Sequence, residues 1–177
     1  MAKLIVADDH PLFRNALIHA ISNTFVTKAT IETDSFEATC EALLEHPDAD
    51  LLLLDLHMPG NCGFLGLIQL RKQYPTLPIV VISASDDVDV IKRVMAFGAS
   101  AFIPKSSHPA EIGKALSAVI DGELWVPPAI RSQVMKRVFN DRSGPRRALA
   151  VVSPNAGDGK TYFAANLAVT LAQLGGR

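Results

Sequence analysis

Short, uniformly apolar runs alternate along this sequence with longer segments in which apolar residues recur every three to four positions. Uniformly apolar runs are typical of strands buried on both faces of a parallel sheet. The three-to-four spacing is typical of helices that bury one face. Five strand–helix pairs follow one another before Gly122, and the second strand, 27–33, is β-branched and alternating instead of uniformly apolar. The alternation therefore predicts an α/β fold with a parallel sheet and helices on both of its faces.

The predicted strands are 3–7, 27–33, 51–54, 78–82 and 101–103, and the predicted helices are centred on Leu17, Leu43, Ile68, Ile91 and Leu116. Parallel sheets of this kind place their ligands at the carboxyl ends of the strands. The residues that directly follow each strand are therefore the candidates for a functional site.

Chemically reactive side chains occupy these positions. Asp8 and Asp9 follow the first strand, Asp55 the third, Ser83 the fourth and Lys105 the fifth. Three carboxylates at one edge of a sheet repel one another, and a divalent cation relieves that repulsion. Magnesium suits such a set, because it prefers oxygen ligands and commonly pairs carboxylates with a phosphate.

The set also contains the other groups that phosphoryl transfer requires. Lys105 can neutralise a phosphate oxygen, and the Ser83 hydroxyl can donate to another. Asp55 stands alone at the end of a central strand and is the best candidate nucleophile. Taken singly, each Asp could be a helix cap or a turn residue. The ordered combination favours a phosphoryl-transfer site over those structural roles and over a vestigial pocket.

Three motifs carry a family resemblance: Lys3 to Arg14 (KLIVADDHPLFR), Leu54 to Gly60 (LDLHMPG) and Ala101 to Ser106 (AFIPKS). They resemble the receiver domain of two-component response regulators, and the DDHP opening resembles the subfamily with a LuxR-type helix-turn-helix output. The resemblance covers residues 1–125. It implies a flavodoxin-like, doubly wound, five-stranded parallel sheet of order 2-1-3-4-5.

The resemblance also implies roles for the pocket residues. Asp55 would accept a phosphoryl group from a sensor histidine kinase and would bind Mg²⁺ directly together with Asp9. Asp8 would bind the ion through water, and the backbone carbonyl of His57 would be a further ligand. The His57 side chain could tune dephosphorylation, although an exposed loop histidine is the favoured interpretation.

A conformational switch is implied as well. Ser83 and Lys105 would contact the phosphate, and Phe102 matches the position of the family's switch aromatic. The signal would pass from Ser83 through Phe102 to the face built from the fourth helix, fifth strand and fifth helix. The alternative for Phe102 is a core residue in a short strand.

The rest of the chain has a different character. Residues 126–145 read as a basic linker with a short helix, and residues 146–177 as a further βα unit. Gly159, Lys160 and Thr161 match the end of a P-loop motif, although Pro154 occupies the position of its first glycine. This unit resembles the P-loop of bacterial tyrosine kinases and of chromosome-partitioning ATPases.

The remaining parts of such an ATPase are missing from this sequence, so we expect neither nucleotide turnover nor a nucleotide cofactor, and we expect a phosphoacceptor rather than an enzyme. We expect the strand 148–152 to add to the sheet as a sixth strand beside 101–103, or to pair with another copy. A natural fusion, a truncation or an engineered chimera would each explain the change near 142–145. The alternative function is a P-loop ATPase unit regulated by the receiver.

Composition limits the partners. The formal net charge is −1, so no strong overall field attracts nucleic acid or membrane. Neither a helix-turn-helix nor a membrane-spanning tract is visible, so DNA binding is not supported and no membrane partner is expected. The carboxylates of the early chain argue against a signal peptide, and two cysteines argue against a disulfide scaffold. We expect a cytoplasmic protein, with a homodimer left open.

Overall fold

The computed structural model describes residues 2–24, 26–61 and 63–140. The strands are β1 (Ala2–Ala7), β2 (Thr27–Thr33), β3 (Leu51–Asp55), β4 (Ile79–Ser83) and β5 (Ala101–Pro104). The helices are α1 (Pro11–Ser22), α2 (Phe36–Glu45), α3 (Phe64–Gln73), α4 (Val88–Ala96), α5 (Pro109–Ile120) and α6 (Pro128–Asn140). The elements alternate as the apolar pattern predicts.

All five strands are parallel and lie in the order β2-β1-β3-β4-β5, which confirms the predicted fold class. The chain direction across the sheet reverses between β1 and β3, so a crevice forms at the carboxyl ends of these two strands. In the β4–β5 pair Ser83 lies opposite Pro104, and in the β3–β4 pair Asp55 lies opposite Ile82. The ends of β3, β4 and β5 are therefore level with one another to within one residue.

Two apolar layers enclose the sheet, because successive residues of each strand point to opposite faces. One layer joins Leu4, Leu53 and Val80 to α1 and α5. The other joins Ile5, Leu54 and Val81 to α2, α3 and α4. Every residue of β3 and β4 is buried, as expected for strands covered on both sides. Both layers hold the polar strand ends in fixed positions.

The segment after α5 closes part of the β5 edge. The Trp125 N–H donates to the Ser100 carbonyl at 3.0 Å, and the Phe102 N–H donates to the Trp125 carbonyl at 3.2 Å. Beyond it, α6 packs against α4, and the Val126 and Val134 side chains belong to the core at 2% and 1% exposure. The short helix predicted for this segment is thus confirmed.

Two expectations fall on residues that the structure does not describe. The strand 148–152 and its place as a sixth strand lie outside the described residues, and so does the P-loop-like loop. Within the part that is described, no helix is long and apolar enough to cross a membrane.

Candidate functional site

Four acidic and basic side chains meet in the crevice at the carboxyl edge of the sheet. β1 delivers Asp8 and Asp9, β3 ends in Asp55, and Lys105 directly follows β5. Asp8 and Asp55 are each 1% exposed, which is rare for carboxylates unless they are paired. The structure thus brings together the residues that the sequence places at three different strand ends.

Asp55 is held from three directions. Its Oδ1 accepts the His57 backbone N–H at 3.0 Å, and its Oδ2 accepts from Lys105 Nζ at 2.8 Å. The Asn61 side-chain amide donates to the Asp55 backbone carbonyl at 3.0 Å. These contacts fix the position of the buried Asp55 carboxylate at the carboxyl end of β3.

Lys105 bridges two carboxylates. Its Nζ lies 2.8 Å from Asp8 Oδ2 and 2.8 Å from Asp55 Oδ2, and 4.9 Å from the centre of the Phe13 ring. Burial alone would lower the pKa of Lys105, but its hydrogen bonds to Asp55 and Asp8 and their negative charges outweigh burial and raise the pKa. The ammonium therefore stays protonated and neutralises part of the pocket's charge.

The loop between β1 and α1 is braced by backbone and side-chain contacts. The Asp8 backbone carbonyl accepts from Arg14 Nη1 at 2.5 Å, and Arg14 Nε donates to Glu32 Oε2 at 2.9 Å. The His10 backbone N–H donates to Asp8 Oδ1 at 2.8 Å. Arg14 consequently ties the acidic end of β1 to β2, its neighbour in the sheet.

The pocket fits a divalent cation. One ligand atom from each of Asp8, Asp9, His10 and Asp55 lies within 4.8 Å of the others. Asp8 Oδ2 and Asp9 Oδ1 are buried, and the nitrogen atoms beside them are Lys105 Nζ at 2.8 Å and His10 Nδ1 at 2.7 Å. Carboxylate oxygens so arranged suit Mg²⁺, which prefers oxygen ligands and retains several waters.

The two residues proposed for the switch are buried. Ser83 is 0% exposed, and its Oγ accepts the Ser85 backbone N–H at 3.2 Å. Its backbone carbonyl accepts the Lys105 N–H at 2.8 Å, which places Ser83 directly beside the lysine. Phe102 is 0% exposed and packs within the core layer that includes α4. The His57 ring, by contrast, is exposed and lies 4.0 Å from Asp55 Oδ1.

Three supporting residues of the site were not predicted from the sequence: Phe13, Arg14 and Asn61. The apolar pattern places Phe13 and Arg14 in the first turn of α1, and it predicts Phe13 only as an apolar helix position. Asn61 stands in a Pro–Gly turn and reads as a turn residue. The role of Arg14 could have been predicted, because a basic residue about one helical turn after the Asp pair can reach back to the end of β1.

The fold and the pocket together define a class, the doubly wound α/β domain with a carboxylate pocket at the carboxyl edge of its sheet. The chain belongs to the response regulator receiver domain family, whose model matches residues 4–117. The resemblance carried by the three motifs is therefore confirmed at the level of the family.

Curated relatives agree with this assignment. The chain is 40% identical over 130 residues to the glycerol metabolism activator of Pseudomonas putida, covering 73% of this chain and 59% of that protein. It is 29% identical over 157 residues to the nitrate/nitrite response regulator protein NarL of Escherichia coli K12, covering 89% of this chain and 72% of the relative. The chain thus spans little more than half the length of the first of these relatives.

Solved structures support the fold. The signal receiver domain of the putative response regulator NarL from Mycobacterium tuberculosis superposes with a TM-score of 0.62 at 31% identity, over 69% of this chain and 98% of that one. The isolated receiver domain of RcsB from Salmonella enterica, determined with a phosphomimetic, superposes with a TM-score of 0.68 at 24% identity, over 75% and 97% of the two chains.

The P-loop resemblance receives no support from these comparisons. The matching family model ends at residue 117, and the relatives named above are regulators. Gly159, Lys160 and Thr161 lie outside the described residues. The division into a receiver at 1–125, a linker at 126–145 and a βα unit at 146–177 stays a prediction.

Proposed function

We propose that Asp55 accepts a phosphoryl group from a sensor histidine kinase in a Mg²⁺-dependent reaction and thereby switches the conformation of the domain. The observation that carries the proposal is the Lys105 ammonium at 2.8 Å from both Asp8 and Asp55, inside a cluster of three carboxylates. This arrangement offers a nucleophile, a metal site and a counter-charge in one crevice.

The chemistry follows from the positions of these groups. An Asp55 carboxylate oxygen attacks the phosphorus of the donor phosphohistidine, an O–P bond forms, and the P–N bond breaks with its electron pair passing to the histidine nitrogen. A bound Mg²⁺ would supply charge neutralisation for the phosphoryl oxygens. Asp8, Asp9, Asp55 and the His57 carbonyl would hold that ion. Lys105 would then exchange its contact with Asp55 for one with a phosphoryl oxygen.

The same contact exchange accounts for a switch. Lys105 and Ser83 are adjacent at the ends of β5 and β4, since the Lys105 N–H donates to the Ser83 carbonyl. Ser83 Oγ now accepts the Ser85 backbone N–H. A phosphoryl group on Asp55 would offer the Ser83 hydroxyl an acceptor for its proton. Movement of either residue would reach β5, where Phe102 is packed between the sheet and α4.

Acetyl phosphate provides a direct test. The intact protein, incubated with acetyl phosphate and Mg²⁺, should gain the mass of one phosphoryl group, and chelation of the metal should prevent the gain. Asp55→Asn should remove the adduct, because an amide does not attack phosphorus. Asp50→Asn is the matched control, since Asp50 precedes the same strand at its opposite end.

An adduct of equal yield in Asp55→Asn would show that another residue is the acceptor. Loss of the adduct in Asp50→Asn as well would attribute the effect to a general disturbance of β3. A yield independent of Mg²⁺ would remove the metal from the proposal. Asp9→Asn should weaken Mg²⁺ binding measured by titration calorimetry.

A further inference from the structure

Two helices of this protein start with the same dipeptide but use it differently. His10–Pro11 starts α1 and His108–Pro109 starts α5, and each helix is 12 residues long. The His108 Nδ1 accepts the Ala110 backbone N–H at 3.3 Å and so caps α5. The His10 side chain makes no cap hydrogen bond to α1. Capping therefore does not explain the position of the His10 ring.

The His10 ring lies instead against the carboxylates. Its Nδ1 is 2.7 Å from Asp9 Oδ1 and 3.6 Å from Asp8 Oδ1, although two thirds of the side chain is exposed. An exposed imidazole that lay free in solvent would have no reason to sit so close to two carboxylates. The four ligand atoms, one each from Asp8, Asp9, His10 and Asp55, lie within 4.8 Å of one another.

The backbone keeps the ring in this position. The His10 N–H donates to Asp8 Oδ1 at 2.8 Å, and the ring of Pro11 holds that residue's own φ in the helical range, directly after His10. Arg14, one turn later, holds the Asp8 carbonyl. The imidazole is consequently placed beside the pocket by the same contacts that place Asp8, and ordering it on ion binding costs little conformational entropy.

An imidazole changes which ions a carboxylate pocket prefers. Mg²⁺ takes oxygen ligands and rarely nitrogen, whereas Co²⁺, Ni²⁺ and Zn²⁺ bind imidazole readily. We propose that His10 is a side-chain ligand of the acidic pocket, and that it shifts the ion preference of the pocket from Mg²⁺ toward nitrogen-accepting transition-metal ions. The inference rests on the proposed function only in that the same carboxylates are taken to hold Mg²⁺.

The test uses the full chain with Co²⁺ and Mg²⁺ as separate probes. Titration calorimetry gives both affinities, and the visible absorption of Co²⁺ reports whether nitrogen is among its ligands. His10→Asn should lower Co²⁺ affinity at least ~10-fold and alter the spectrum, while Mg²⁺ affinity should stay within about 2-fold. Asn is a good N-cap residue, so α1 is expected to form in this variant.

Two further variants separate the pocket from histidines elsewhere. His108→Asn removes the equivalent residue of α5 and should leave both affinities and the spectrum unchanged. His57→Asn removes the other ring near Asp55, at 4.0 Å from its Oδ1, and should likewise leave the His10-dependent change intact. A thermal melt of each variant checks that the fold is retained.

The inference is overturned if the protein binds no Co²⁺, if His10→Asn retains the Co²⁺ affinity and spectrum, or if Co²⁺ and Mg²⁺ affinities fall by the same factor. The last result would show that the substitution disturbs the carboxylates rather than removing a ligand. Failure of the proposed function looks different: Mg²⁺ would not bind, or would bind equally well to Asp9→Asn, while the Co²⁺ result still depended on His10.

Discussion

Replacing Lys105 by Met should destabilise the metal-free protein, because it removes the cation between two buried carboxylates while keeping an apolar chain of similar length. The Asp8, Asp55 and Lys105 side chains are 2%, 1% and 16% exposed. At an effective dielectric constant of about 20, one contact at this separation is worth about 6 kcal/mol before desolvation is subtracted. Breaking a buried pair by removing one partner costs about 3–5 kcal/mol. The partial exposure of Lys105 favours the lower end, near 3 kcal/mol.

The assay is urea unfolding followed by the fluorescence of Trp125, the one tryptophan of the chain, in the presence of a chelator. Lys92→Met is the matched control, because Lys92 pairs with Asp89 on the outside of α4, where Asp89 is 76% exposed. That pair should contribute at most about 0.5 kcal/mol. A stability of Lys105→Met equal to that of the unmodified protein would refute the reasoning.

Adding Mg²⁺ and raising the pH should each reduce the difference in free energy of unfolding between the unmodified protein and Lys105→Met. Lys105 competes with a metal for Asp8 and Asp55, so Lys105→Met should bind Mg²⁺ more tightly and be stabilised by it more than the unmodified protein. At 100 times the variant's own dissociation constant, Mg²⁺ stabilises the variant by about 2.7 kcal/mol. The pKa of Lys105 is raised above its usual 10.5 in the folded protein. Its stabilisation is therefore fully present below pH 10.5 and is lost as the pH rises through the raised pKa. A difference in free energy of unfolding that changes neither with Mg²⁺ nor at alkaline pH would contradict the ion-pair explanation.

Two other predictions concern the backbone and the switch. Gly98→Ala should cost more than Gly122→Ala in urea unfolding, roughly 3 against 1–2 kcal/mol. Both glycines have a positive φ, of 90° and 84°, but a Cβ on Gly98 would meet Arg71 at 3.2 Å, whereas nothing lies within 4 Å at Gly122; equal costs would contradict this. Beryllofluoride with Mg²⁺ should change the fluorescence of Trp125, which is bonded through its backbone to Phe102, and Ser83→Ala should remove that change. An unchanged response in Ser83→Ala would exclude the serine from the pathway.

The sheet was predictable from sequence because four of its strands are separate apolar runs and the remaining one, β2, is β-branched and alternating. Parallel strands need crossover helices, and a regular alternation of the two leaves few topologies. The strand ends also placed Asp8, Asp55 and Lys105 at one edge, where the structure has them in contact. Topology alone therefore brought distant residues together without any knowledge of side-chain geometry.

Side-chain direction is what the sequence could not supply. His10 and His108 stand in identical His-Pro pairs, yet one ring caps its helix and the other lies against a carboxylate. The difference comes from the Asp pair that precedes His10. It depends on the side-chain conformation of each histidine, which the order of residues does not specify. Likewise, Phe13 reads as a core position of α1, but its ring also lies 4.9 Å from the Lys105 ammonium.

The burial of Val126 and Val134 has a consequence for exchanging modules between regulators. A chain cut at residue 117, where the family match ends, would lose α6 and the segment with Trp125. The face of α4 that packs against α6 and the edge of β5 would then be uncovered. Grafting this signalling unit onto another effector therefore requires the graft to carry the polypeptide through Val134. A junction placed earlier would expose an apolar surface that is covered in this protein, and exposed apolar surfaces promote self-association.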